Sequence, residues 1–233
     1  FARYLRAKGY ILRGTPEFAQ FDLDRARELA LDPALERLLA PEVETGRPAA
    51  SALSRLPIET RQRWRATAAN QSNLDRMDRV SRITIHHSAL YFRDYRPSAT
   101  AVQLQRIQRE HMRGRGYGDI GYHFLIDPAG RIWQGRDLRW QGAHASGENN
   151  VRNAGICLLG NFVRGNRGHS PTAEQVDALE SLVAALCSDY RIARSQIHSH
   201  SDFKATECPG PLMEPIIARL RGDASNARIA RRD

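Results

Sequence analysis

No apolar stretch in this 233-residue chain approaches the ~20 residues that cross a bilayer, so no transmembrane segment is expected. Cysteine is scarce. Cys157, Cys187 and Cys208 are an odd number at wide spacings, which excludes a disulfide framework. Lysine is scarcer still, with Lys8 and Lys204 alone. The surplus of 35 basic over 26 acidic residues, a net charge of +9, is therefore almost wholly arginine. Such a balance suits polyanionic surroundings, nucleic acid or an anionic cell wall among them. The arginines are spread along the chain with no nucleic-acid-binding motif, so they read as a solvated basic surface, and specific nucleic-acid binding is not expected. No internal repeat is visible. The chain opens at Phe1 without an initiator Met or a visible secretory leader, as a chain trimmed of an export signal or otherwise shortened would.

What is present suffices for one domain with a hydrophobic core and a smaller appendage; 41% of residues are hydrophobic. Residues 1–80 read as a helical N-terminal extension broken by Pro and Gly. Helices are expected over 24–31, 33–39 and 57–64, with a linker over 46–51. No chemistry can be assigned to this part. From Arg82 the texture changes. Ile83, Thr84 and Ile85 form a β-branched strand ending in His86-His87-Ser88. Val102, Leu104, Ile107 and His111 recur at helical spacing within 99–113. Strands are expected over 120–126 and 131–134, joined by Asp127-Pro128-Ala129-Gly130, and over 154–159. Residues 172–190 read as a helix with Thr172 and Gln175 as a capping box and Val176, Leu179, Val183, Leu186 and Tyr190 on one stripe. Ile197 leads a short strand into His200, and a last helix spans 211–221. Alternating strands and helices predict one α/β domain over 81–222, its central sheet flanked by helices, with a basic tail at 223–233. A monomer is expected.

Three ligand-type residues stand where loops leave strands: His86, His200 and Cys208. Two imidazoles and a thiolate suit zinc, and three protein ligands leave the fourth tetrahedral position open for water. His200 and Cys208 are eight apart, ~12 Å along a continuous helix, which zinc bonds of ~2.0–2.3 Å cannot bridge. The intervening segment must loop back, and Pro209-Gly210 stops any helix there. Spacing alone does not single these three out among eight histidines.

The surrounding residues do. Ile83-Thr84-Ile85-His86-His87-Ser88-Ala89 resembles the first metal strand of the type 2 N-acetylmuramoyl-L-alanine amidases, the family of phage-type amidases and peptidoglycan recognition proteins. Gly116-Tyr117-Gly118-Asp119-Ile120-Gly121-Tyr122-His123-Phe124 resembles its central signature. Gly142-Ala143-His144, Gly155-Ile156-Cys157-Leu158-Leu159-Gly160-Asn161-Phe162, His200-Ser201-Asp202 and Thr206-Glu207-Cys208-Pro209-Gly210 continue the match in order. The resemblance covers residues 82–220 and implies a mixed central sheet. It implies one zinc ion held by His86, His200 and Cys208 plus water, with His87 and His198 outside the ligand set. It puts Tyr122 on the catalytic tyrosine and Thr206 on a catalytic threonine. His144 matches a histidine of the substrate groove, and Asn150 a groove asparagine, unless a one-residue insertion gives that place to Asn149. Cytosolic recycling relatives carry aspartate and glutamate where this chain has Cys208 and Cys157, which argues against that subgroup.

Zinc would activate water to attack the amide joining N-acetylmuramic acid to L-alanine. Tyr122 would donate to the developing oxyanion or help orient the water, and Thr206, uncharged, would position or serve as a second donor rather than act as base. His111, on the apolar helix face, and His123 read as structural. The alternative is a peptidoglycan-binding protein that grips muropeptides without cutting. Such members typically lose the cysteine ligand, which this chain keeps. Peptidoglycan as substrate implies a periplasmic or extracellular location.

Overall fold

The computed structural model describes residues 51–165 and 168–223. The helices expected at 24–31 and 33–39, most of the 46–51 linker and the tail beyond 223 lie outside them. Among the described residues, six strands form one sheet: β1 (Ile58–Glu59), β2 (Arg82–His87), β3 (Phe124–Ile126), β4 (Ile132–Gln134), β5 (Asn153–Leu158) and β6 (Ile197–Ser199). Three α-helices flank it: α1 (Pro97–Arg109), α2 (Ala173–Tyr190) and α3 (Glu214–Arg221). No described helix is long and apolar enough to cross a membrane.

The strand order is β1-β4-β3-β5-β2-β6. Only β3 and β4 run antiparallel, so the sheet is mixed. Their hairpin turns at Asp127, whose carbonyl accepts the Gly130 N–H at 2.9 Å. β2 and β5 are central and buried along almost their whole length, as strands covered on both faces must be. The two-residue period sorts their side chains. Ile83, Ile85, Ile156 and Leu158 share a cluster with Leu179, Leu182 and Leu186 of α2 and Ile217 of α3. On the other face Cys157, Leu125 and Trp133 join Leu104 and Ile107 of α1. His86 is in register with Cys157 and so belongs to the α1 face.

Four local expectations are revised. Residues 57–64 are not helical. Ile58 and Glu59 pair with Ile132 and Trp133 of β4, and Trp64 is fully buried with Nε1 donating to the Gln134 carbonyl at 2.8 Å. A sheet edge and an indole pocket outweigh local propensity there. Of 120–126 only Phe124–Ile126 is strand. Ahead of it the Ile120 N–H is taken by the Asp119 carboxylate (2.7 Å) and the Gly121 N–H by His111 Nδ1 (2.9 Å), so no ladder is needed. Val102 is 66% exposed; the buried stripe of α1 runs through Thr100, Gln103, Leu104 and Ile107. The last helix begins at Glu214 rather than 211, with Pro215 in its first turn. The capping box at Thr172 and Gln175 forms in full.

Candidate metal centre

His86 lies near the carboxyl end of β2, and His200 follows the carboxyl end of β6, the neighbouring parallel strand. In an open α/β sheet these strand ends form the crevice where ligands collect. His200 opens a single 3₁₀ turn held by a capping box, the Ser199 N–H donating to Asp202 at 2.9 Å. Cys208 returns on the loop beyond. Its N–H donates to Thr206 Oγ1 at 3.2 Å, and its Sγ accepts the His87 N–H at 3.4 Å. Gly210 seats that loop against Phe162: a Cβ there would stand 2.4 Å from the Phe162 carbonyl oxygen, and φ is +98°.

The potential ligand atoms of His86, His200 and Cys208 all lie within 4.8 Å of one another. His86 Nδ1 is 3.6 Å from Cys208 Sγ. Zinc bonds of ~2.0–2.1 Å to nitrogen and ~2.3 Å to sulfur, at a tetrahedral angle, separate such atoms by about 3.6 Å. His200 Nε2 is buried without a hydrogen-bond partner, a lone pair that a cation would satisfy. Donor types, spacing and an orphaned nitrogen all fit zinc.

Burial, then the neighbouring His144, His200 and His87, hold the His86 imidazole well below the ordinary histidine range. Burial also lowers His200. Both imidazoles are thus neutral and able to ligate. Burial pushes the Cys208 thiol up to about 12, opposed by the His87 N–H, so a metal must displace its proton. Adjacent His87 is engaged elsewhere, Nδ1 accepting the Phe162 N–H at 3.2 Å, and His198 is 3.6 Å from Asp202.

Tyr122 is half-buried with its ring centroid 5.2 Å from that of His86. Burial first, then Cys157 and Cys208, raises its phenol well above the usual value, so it stays protonated. Thr206 is exposed on the Cys208 loop. His144 is buried, its Nδ1 3.0 Å from His86 Nε2. Asn150 Oδ1 accepts the backbone N–H groups of His144 (2.9 Å) and Ala145 (2.8 Å), while the Asn149 carbonyl accepts from the Asn153 amide. Cys157 is fully buried, and burial with Cys208 nearby drives its thiol well up. His111 and His123 serve backbone: His111 as above, and His123 through Nδ1 to the Gly155 N–H at 2.9 Å.

Beside Tyr122 a cavity of about 300 Å³ is lined also by Ser88, Leu90, Arg106, Glu110 and Arg115. These residues were not legible as site residues. In the sequence Arg106 and Arg115 are two arginines among many, and only the approach of α1 and the turn that follows it to Tyr122 gathers them.

The family model described as N-acetylmuramoyl-L-alanine amidase matches residues 76–211. Peptidoglycan-recognition protein SC2 of Drosophila melanogaster is 33% identical over 162 residues, 69% of this chain and 84% of that protein. Among solved structures, peptidoglycan recognition protein-LE in complex with tracheal cytotoxin, a monomeric diaminopimelic acid-type peptidoglycan, is similar with a TM-score of 0.59. It is 26% identical over 66% of this chain and 87% of that one. The endolysin N-acetylmuramoyl-L-alanine amidase LysCS from Clostridium intestinale URNW is similar with a TM-score of 0.57, at 29% identity over 72% of this chain and 97% of that one. The chain belongs to the type 2 N-acetylmuramoyl-L-alanine amidase and peptidoglycan recognition protein family.

Proposed function

We propose that the protein is a zinc-dependent amidase hydrolysing the bond between N-acetylmuramic acid and L-alanine of peptidoglycan, acting in the periplasm or outside the cell. The convergence of His86, His200 and Cys208 at one end of the sheet carries this reading, because two imidazoles and a thiol make a three-ligand set of catalytic type. Family membership and a neighbour solved with a peptidoglycan monomer support the substrate class.

When bound, zinc would supply Lewis acidity, activating water near neutral pH and polarising the scissile carbonyl. The chain's own groups do the rest. Tyr122, kept protonated by burial, donates a hydrogen bond to the carbonyl oxygen as negative charge grows there. Thr206 Oγ1 already accepts from Cys208, which leaves its hydroxyl proton to orient substrate while the same bond steadies the ligand loop. Cys157 lies beside His86 but is no base, because burial keeps its thiol protonated. His144 and Asn150 remain candidates for the groove, with their side chains committed as described.

Mass spectrometry of a muropeptide incubated with zinc-loaded protein tests the bond assignment. The expected products are a glycan with a free lactyl carboxylate and a stem peptide beginning with L-alanine. Tight binding of an intact muropeptide would instead make the protein a non-cleaving recognition protein.

A further inference from the structure

Resting on the zinc reading above, we infer that His144 is a positioning residue for the metal: it fixes the His86 tautomer that leaves Nδ1 free to ligate. The order of protons is set from a backbone carbonyl. His144 Nε2 lies 3.2 Å from the Asn153 carbonyl oxygen, which only accepts, so the proton of the neutral His144 ring is on Nε2. Its Nδ1 is then bare. That bare nitrogen is 3.0 Å from His86 Nε2, so His86 must donate, carrying its own proton on Nε2. The other nitrogen of His86, the one 3.6 Å from Cys208 Sγ, is left with its lone pair exposed to the metal. A single carbonyl thus sets the tautomer of two rings in series.

The surroundings hold His144 to this task. Its imidazole lies between Gly142 and Gly155. A Cβ at Gly142 would come within 2.3 Å of the ring and one at Gly155 within 2.5 Å, closer than real Cβ atoms approach anything. The two glycines therefore form a slot that the ring fills. Asn150 binds the N–H groups of His144 and the next residue, fastening the loop from which the ring projects. The carbonyl that starts the chain is itself anchored, because the Asn153 amide donates to Thr84 Oγ1 (2.8 Å) and to the Asn149 carbonyl (2.7 Å). With 8% of its surface exposed, His144 presents little to a substrate.

The test measures zinc affinity by competition with a chromophoric chelator, independently of any turnover. His144→Leu, lacking the acceptor, is expected to bind zinc about ten- to a hundredfold more weakly, the usual loss when an outer-shell partner of a metal ligand is removed. His144→Asn, whose Oδ1 can stand near the place of Nδ1 and accept, should recover most of that loss. Zinc affinity at the wild-type level in folded His144→Leu, with muropeptide binding lost instead, would overturn the inference and return His144 to the groove. Long-range ¹⁵N–¹H NMR of the metal-free wild type decides the matter even if the Leu variant fails to fold. Protons on Nε2 of both His86 and His144 are expected, and a proton on His144 Nδ1 would overturn the scheme. Failure of the wild type to take up zinc would refute the amidase reading instead, and the NMR result would stand apart from it.

Discussion

A phenol kept protonated by burial can give a hydrogen bond to a carbonyl oxygen but cannot take a proton from water near neutral pH. That limits what Tyr122→Phe should do. With the donor gone and the ring retained, kcat for muropeptide cleavage should fall about a hundredfold, as when one oxyanion donor is removed. Zinc affinity should be unchanged, and steady-state kinetics beside a chelator titration check both. Full turnover in the variant would take the tyrosine out of the chemistry. A second consequence concerns His123, which burial holds at about 4 against an ordinary 6.5, opposed by its bond to the Trp140 carbonyl. The unfolded chain therefore takes up this proton first as pH falls. The stability present above pH 6.5 is lost as pH drops toward 4, and protonation of Nδ1 breaks its bond from Gly155. Urea unfolding at several pH values should show a shallower loss over that window in His123→Gln. An unchanged slope would assign the loss to other groups.

Among the elements, the helix that covers the face opposite the candidate metal centre depends on its start. Thr172 accepts the Gln175 N–H at 3.1 Å, so Thr172→Ala should cost about 1 kcal/mol in denaturant unfolding without touching zinc affinity. Leu104 of α1 is fully buried on the His86 face of the sheet, and Leu104→Ala should cost about 2–5 kcal/mol. The regular parts of these elements were legible because one rule dominates each. Continuous β-branched or apolar runs mark β2 and β5, strands buried on both faces, a capping box with an apolar stripe marks α2, and a Pro-Gly stop marks the Cys208 loop. Where tertiary structure supplies the partner, the pattern misleads. Residues 57–64 look helical until β4 offers an edge, and 120–121 look like strand until Asp119 and His111 take their N–H groups. Val102 shares a helical repeat with Leu104 in the sequence but lies two residues and therefore roughly 200° from it, on the exposed face of α1.

At the level of the whole molecule, the three proposed metal ligands stand out through motifs and not through spacing, because β2, the β6 end and the loop to Cys208 meet only through the sheet order. The relation of His144 to His86 was not legible: a histidine after Gly-Ala carries no mark of the carbonyl it will meet. The chain crossings that create the site would also tie a bound metal to stability. Zinc at a hundred times its dissociation constant should stabilise the fold by about 2.7 kcal/mol, seen as a higher Tm that a chelator reverses and that Cys208→Ala lacks. The most direct measurement is release of stem peptides from intact peptidoglycan by protein that is metal-stripped, zinc-restored or carries Cys208→Ala, with new L-alanine amino termini counted. The account predicts release only from the zinc-restored wild-type protein. Peptidoglycan bound by zinc-loaded protein with no new amino termini would contradict it.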